Sequence, residues 1–102
     1  MFDKMKQLYD LQKKAKEMQK ALDAVTVERE SLGGKIKLVM NGNFKVESLS
    51  IDESAIVPAN KAALEKTLAD LFTDTAEEVR VKSSKQAMGM MKGMNIPGLG
   101  LG

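Results

Sequence analysis

Lys35-Ile36-Lys37-Leu38-Val39-Met40-Asn41-Gly42-Asn43-Phe44-Lys45-Val46-Glu47-Ser48-Leu49-Ser50-Ile51 is the stretch on which the fold turns. From Lys35 to Met40 the chain alternates, with Ile36, Leu38 and Met40 on one face, the period of a half-buried strand. Asn41-Gly42-Asn43 breaks the alternation with residues that accept the positive φ of a tight loop, so a hairpin is predicted. A three-residue loop sets Met40 opposite Phe44 and Leu38 opposite Val46. Beyond Val46 the apolar phase slips by one residue, to Leu49 and Ile51, which predicts a bulge near Glu47 or Ser48 and brings Ile36 to Leu49.

Upstream, the β-branched run Val25-Thr26-Val27 opens a first strand that extends to Glu30 and stops at the turn residues Leu32-Gly33-Gly34. Short turns join all three strands, so the sheet is antiparallel. Ahead of it, residues from Phe2 to Ala24 read as a helix about 35 Å long. With Met1 at heptad position a, Leu8, Ala15 and Leu22 fall at a and Leu11, Met18 and Val25 at d, the seam of a helix that packs on another helix. Lys6, Lys13 and Lys20 fall at f, and Asp3, Asp10 and Glu17 at c, each acid three residues before one of those lysines.

Downstream, Asp52 to Ala59 is a connection, and a second helix starts near Pro58 to Asn60, with Asn60 as its N-cap. Leu64, Leu68, Leu71, Phe72, Thr75 and Val79 continue a helical stripe, and the helix fades by about Met91, a rod of about 45 Å. The chain is therefore predicted to be α+β in the order α-β-β-β-α. Residues 1–91 form one domain and 92–102 a flexible tail rich in Met and Gly. Two such rods outreach a small sheet and project as arms. The seam Leu8, Leu11, Met18, Leu22, Leu64, Leu68 and Leu71 is more apolar surface than that sheet can cover, which predicts a second copy of the chain as partner.

Composition closes many routes. Among 102 residues there is no cysteine and no histidine, which removes disulfides, thiolate nucleophiles, imidazole bases and the usual zinc ligands. No nucleophile, base or phosphate loop accompanies the adjacent acids Asp52-Glu53 and Glu77-Glu78, which read as solvated surface. The chain is read as no enzyme: no catalytic residue, metal site, cofactor or small-molecule substrate is expected. No apolar run is long enough for a membrane span, the N-terminus lacks a signal-peptide core, and a cytoplasmic location is expected. The net charge is only +2, but residues 1 to 23 carry six lysines against four acids, residues 24 to 78 six basic against ten acidic side chains, and residues 79 to 102 four basic side chains and no acid. Both ends are basic and the middle is acidic.

Four stretches resemble the YbaB/EbfC family of small bacterial nucleoid-associated DNA-binding proteins. Met5-Lys6-Gln7 with Gln12-Lys13-Lys14-Ala15-Lys16-Glu17-Met18-Gln19 is similar to that family's opening helix. Gly34 to Gly42 resembles its Gly-x-Val-x-Val-x-x-Asn-Gly hairpin, and Val46-Glu-Ser-Leu49-Ser-Ile51-Asp52 its third strand. Leu64-Glu65, Leu68 to Phe72 and Asp74 to Ala76, followed by the Met-rich stretch and Pro97-Gly98, resemble its second helix and tail. The resemblance implies a homodimer in which strands of two protomers join and helices project like tweezers around duplex DNA. It also implies a nucleoid-associated protein that organises the nucleoid and affects gene expression indirectly. Glu77-Glu78 departs from the family, which often carries basic residues there, and shifts the expected contacts on the second helix to Arg80, Lys82 and Lys85.

Two readings of the cations stand side by side. Lys6, Lys13 and Lys20 are either a solvated face paired with the neighbouring acids or a DNA-binding stripe, with Lys14 and Lys16 flanking it as the strongest individual candidates. Arg80, Lys82, Lys85 and Lys92 either complement the helix dipole or meet phosphates. Phe2, Tyr9, Phe44 and Phe72 are few and read as mostly core, which disfavours stacking on single strands. The rival class is a prefoldin-like client-holding chaperone with Met1, Phe2 and Met5 at the arm tip; a purely structural dimerisation module is a third reading.

Overall fold

The computed structural model describes the backbone of residues 2–94 and the side chains of residues 3–92. The elements run α1 (Phe2–Asp23), β1 (Thr26–Ser31), β2 (Ile36–Asn41), β3 (Val46–Ile51) and α2 (Lys61–Met94), with short 3-10 turns at Leu32–Gly34, Glu53–Ala55 and Pro58–Asn60. This is the expected α-β-β-β-α order, and the sheet is antiparallel in the order β1-β2-β3. α2 runs three residues beyond the expected end at Met91; the rest of the expected tail, 95–102, lies outside the described residues.

The hairpin differs from its sequence reading by one residue. Asn41 N–H donates to the Lys45 carbonyl (2.9 Å) and Phe44 N–H to the Asn41 carbonyl (3.0 Å), so the loop is Gly42-Asn43-Phe44. Met40 pairs with Val46, Leu38 with Leu49 and Ile36 with Ile51, and Glu47 is the extra residue of a bulge. The expected pairs Met40–Phe44, Leu38–Val46 and Ile36–Leu49 are thereby corrected, while the bulge falls where the phase slip placed it. The reason is that Phe44, not an Asn or Gly, takes the left-handed conformation (φ 63°). At the other turn Leu32, Gly33 and Gly34 all have positive φ, and the two glycines supply that conformation without a Cβ clash.

α2 lies across one sheet face and makes the core. Val27, Met40 and Val79 are buried together, as are Ile36, Leu38 and Leu71, with Phe72 half-buried against both groups. Thr75 is also buried, and its hydroxyl donates to the Leu71 carbonyl (2.6 Å), so the helix carries a polar side chain inward at little cost. On β1 the same face holds Val27 and then Arg29, whose Nη1 lies 3.0 Å from Glu78 Oε1 on α2. The opposite sheet face, with Glu28, Glu30, Lys37, Ser48 and Ser50, is exposed. Asn60 ends a 3-10 turn, donating to the Val57 carbonyl (2.9 Å), and so is already helical rather than the N-cap expected of it.

α2 contacts β1 and β2, leaving β3 at the margin with Val46 and Leu49 46% and 43% exposed. α1 adds nothing to either buried cluster. The molecule measures 66 × 24 × 18 Å with a radius of gyration of 19.3 Å, against about 13 Å for a compact chain of this length.

Candidate nucleic-acid interface

α1 is about 33 Å long and α2 about 51 Å at the ordinary helical rise. Residues Lys14, Met18, Ala21 and Leu22 of α1 are half-buried, and helical geometry gathers Lys6, Lys13, Lys16 and Lys20 on the face turned away from them. Those four lysines are exposed, and among the described residues none enters an ion pair. The expected pairs with Asp3, Asp10 and Glu17 do not form, so the stripe is a row of free ammonium groups about 21 Å long. Lys14 sits on the half-buried side, unlike its neighbour Lys16. Tyr9, Gln12, Lys13 and Lys16 line a shallow surface dent.

The basic residues of α2 are placed differently from one another. Arg80 is held by Glu77, with Nη2 and Nε at 2.6 and 3.1 Å from its two carboxylate oxygens. That pairing holds the Glu77 carboxyl below its ordinary range and raises Arg80, through the hydrogen bond first and the charge second. Glu77 and Glu78 therefore each serve an arginine instead of standing as free solvated acids. Lys82 Nζ donates to the Thr26 carbonyl (2.9 Å), fastening α2 to the start of β1. Lys85 and Lys92 lie toward the far end of the helix. Of the expected set Arg80, Lys82 and Lys85, Lys85 is thus the cation with no protein partner among the described residues.

The apolar seam is covered unevenly. Leu71 is buried and Leu64, Leu68, Met18 and Leu22 are half-buried, whereas Leu8 and Leu11 are 61% and 52% exposed. Met5 is exposed as well; the side chains of Met1 and Phe2 lie outside the described residues. The aromatic expectation changes too, because Tyr9 and Phe44 are exposed rather than core.

Contacts that the sequence reading did not anticipate, two of them through the unremarked Asp23 and Ser83, connect the arms to the sheet. Asn43 Nδ2 donates to Asp23 Oδ1 (2.6 Å) and to the Gln19 carbonyl (3.0 Å), and Ser83 Oγ donates to the Gly42 carbonyl (2.8 Å). One signal was available: Asp23 puts an acid at the C-terminus of a helix, where the dipole disfavours it. Among the described residues no acidic cluster could hold a metal ion, and no helix is long and apolar enough to cross a membrane.

The sequence profile of the YbaB/EbfC DNA-binding family matches residues 1–94. A nucleoid-associated protein of Afipia carboxidovorans is 35% identical over 98 residues, covering 96% of this chain and 93% of its own length. One from Rhodopseudomonas palustris is 36% identical over 99 residues with the same coverage, and one from Anaeromyxobacter dehalogenans 33% identical over 95 residues, covering 93% and 92%. Among solved structures, an uncharacterized protein from Helicobacter pylori superposes with a TM-score of 0.63 at 22% identity, over 81% of this chain and 96% of that one, a likeness of fold.

Proposed function

The chain belongs to the YbaB/EbfC DNA-binding family, whose relatives are nucleoid-associated proteins, and from that premise we propose that it binds duplex DNA as a homodimer, mainly through phosphates. The observation that carries this reading is the row Lys6, Lys13, Lys16 and Lys20, exposed on a projecting helix and outside every ion pair among the described residues. Such cations bind phosphates by releasing counterions and read no base. Lys85 adds a cation from α2. Lys14, Arg80 and Lys82 contribute less directly, since one is half-buried and the other two have protein partners.

Association of two copies along β3 fits the sheet. The β1 edge is overlaid by α2, with Lys82 on the Thr26 carbonyl, while β3 is uncovered beside exposed Val46 and Leu49. An open strand edge next to apolar side chains is a pairing surface. Exposed Leu8 and Leu11 then belong to the seam between subunits or between arms. Coating of the nucleoid in the cytoplasm, with indirect effects on gene expression, follows from binding that ignores sequence.

Fluorescent duplex titrated at several salt concentrations tests the reading, beside a light-scattering measurement of mass. Salt-dependent binding by a dimer supports it. The exposed Met5, Leu8 and Leu11 also suit a client-holding arm, so an aggregation-suppression assay on an unfolded protein runs alongside; holdase activity without DNA binding would transfer the arms to that rival class.

A further inference from the structure

Gly42 is the one described residue whose two backbone groups reach both long helices. Its N–H donates to the Leu22 carbonyl at the end of α1 and to the Val25 carbonyl just beyond it, each at 2.9 Å, and its carbonyl accepts from Ser83 Oγ of α2 at 2.8 Å. The flanking side chains add to the α1 side. Asn43 Nδ2 reaches Asp23 Oδ1 (2.6 Å) and the Gln19 carbonyl (3.0 Å), and Asn41 Nδ2 lies 3.5 Å from the same Asp23 oxygen. Asn41 is itself buried, its Oδ1 accepting from the N–H groups of Asn43 (2.9 Å) and Lys45 (3.1 Å), so the loop that makes these contacts is rigid.

A helix leaves its last four carbonyls without intrahelical donors. Here the sheet's own hairpin supplies a donor to one of those four, the Gly42 N–H at Leu22, and a second donor to the Gln19 carbonyl just before them, and so caps α1 from outside the helix. Asp23 belongs to the same device: an acid is disfavoured at a helix C-terminus, and amide donors from the loop are what its carboxylate meets there.

We propose that Asn41-Gly42-Asn43, with Asp23 as its acceptor and Ser83 as its link to α2, is the pivot that fixes the direction of α1 and hence the spacing of its lysines relative to α2. Asp23 and Asn43 are then positioning residues for DNA binding, not DNA contacts. This rests on the reading of α1 as a DNA-binding arm, and the experiment separates the two.

Asp23→Ala and Asp23→Asn each remove one negative charge, but only Asp23→Asn keeps an oxygen acceptor for Asn43. On charge alone both variants bind DNA more tightly than wild type. On the pivot, Asp23→Asn keeps wild-type or tighter binding, while Asp23→Ala and Asn43→Ala bind severalfold more weakly than Asp23→Asn. Their salt dependence flattens by about 0.9 for each phosphate no longer engaged. Since no α1 residue belongs to the buried clusters, the sheet and α2 remain folded in all three.

Arm direction is read without DNA. The chain has no cysteine, so spin labels at Gln7→Cys and Ser84→Cys, both exposed positions, report the α1–α2 distance in protein diluted into unlabelled chain. A narrow distribution in wild type and Asp23→Asn that broadens in Asp23→Ala and Asn43→Ala is the expected result. Unchanged distributions in both alanine variants, or equal DNA affinity of Asp23→Ala and Asp23→Asn, would overturn the pivot. Distances that respond as expected in a chain that binds no DNA would overturn the DNA reading and leave the pivot supported.

Discussion

At position 42 a methyl group would collide with the Leu22 carbonyl and stand 3.0 Å from Ser83 Oγ, so Gly42→Ala forces the hairpin away from one helix or the other. A loss of about 1–3 kcal/mol in denaturant unfolding is expected, the usual cost of overpacking. Position 44 predicts the opposite sign. Phe44 holds φ at 63° and is 52% exposed, and a left-handed backbone costs a residue with a Cβ about 1–2 kcal/mol. Phe44→Gly relieves that strain at the expense of some chain entropy and is expected to raise stability by up to about 1 kcal/mol, seen as a higher Tm. A lowered Tm would mean that the ring contributes more by packing than the backbone loses by strain. Asp52 gives a pH-dependent case. The Ser54 hydroxyl, then the Ser54 N–H at 2.9 Å, then the charge of Lys35 hold its carboxyl below the ordinary 3.8. A depressed folded-state value contributes stability that is fully present above the unfolded value and is lost as pH falls through the folded one. The Tm difference between wild type and Asp52→Ala is therefore expected to persist at neutral pH and to shrink below about pH 4, as a series of melts would record.

The elements were legible to very different degrees, for reasons that lie in what each one packs against. β2 and the α2 stripe read cleanly because Ile36, Leu38, Leu71, Thr75 and Val79 are buried where helix meets sheet, and burial is what imposes period on a sequence. Family membership was equally readable, since it rests on the order of short stretches along the whole chain. The bulge was legible in the phase slip after Val46, but the loop position and the cross-strand pairs were not, because the left-handed Phe44 goes with the docking of Gly42 on α1, a long-range interaction with no local signature. Heptad spacing on α1 marked Leu8 and Leu11 as seam, yet period alone cannot say whether the seam is filled within one chain. They are exposed here, while Leu38 is fully buried. Leu38→Ala should accordingly cost about 2–5 kcal/mol by the cavity it leaves, whereas Leu11→Asp should leave the subunit folded and act on assembly. Far-UV circular dichroism with sedimentation analysis separates the two outcomes; a Leu11→Asp chain that unfolds outright would show that α1 is integral to the subunit core.

Across the whole molecule, the layout of charge matters more than its small sum. The row on α1 is free while Arg80 is neutralised by Glu77 and Lys82, still charged, is tied to β1, so on the proposed reading the cations free to meet phosphates are chiefly those of α1 and Lys85. A dimer engaging roughly 6 phosphates loses about a thousandfold in affinity between 50 and 200 mM salt, because each phosphate contributes about 0.9 to the slope of log affinity against log salt. Replacing Lys13 and Lys16 together with Gln takes up to about four cations from a dimer and should flatten that slope by up to about 3.6, with sequence preference unchanged. Lys13 and Lys16 are the informative pair because both are exposed, whereas Lys14 is half-buried and its replacement would mix packing with charge. Lys35 and Lys37, at the sheet, should alter the slope less. Glu77→Gln works in the other direction: it frees the Arg80 guanidinium and removes an anion, so binding should tighten at low salt and the slope steepen. If the sheet lysines move the slope more than the arm lysines, DNA lies across the open sheet face rather than along α1, and the projecting helices have another use.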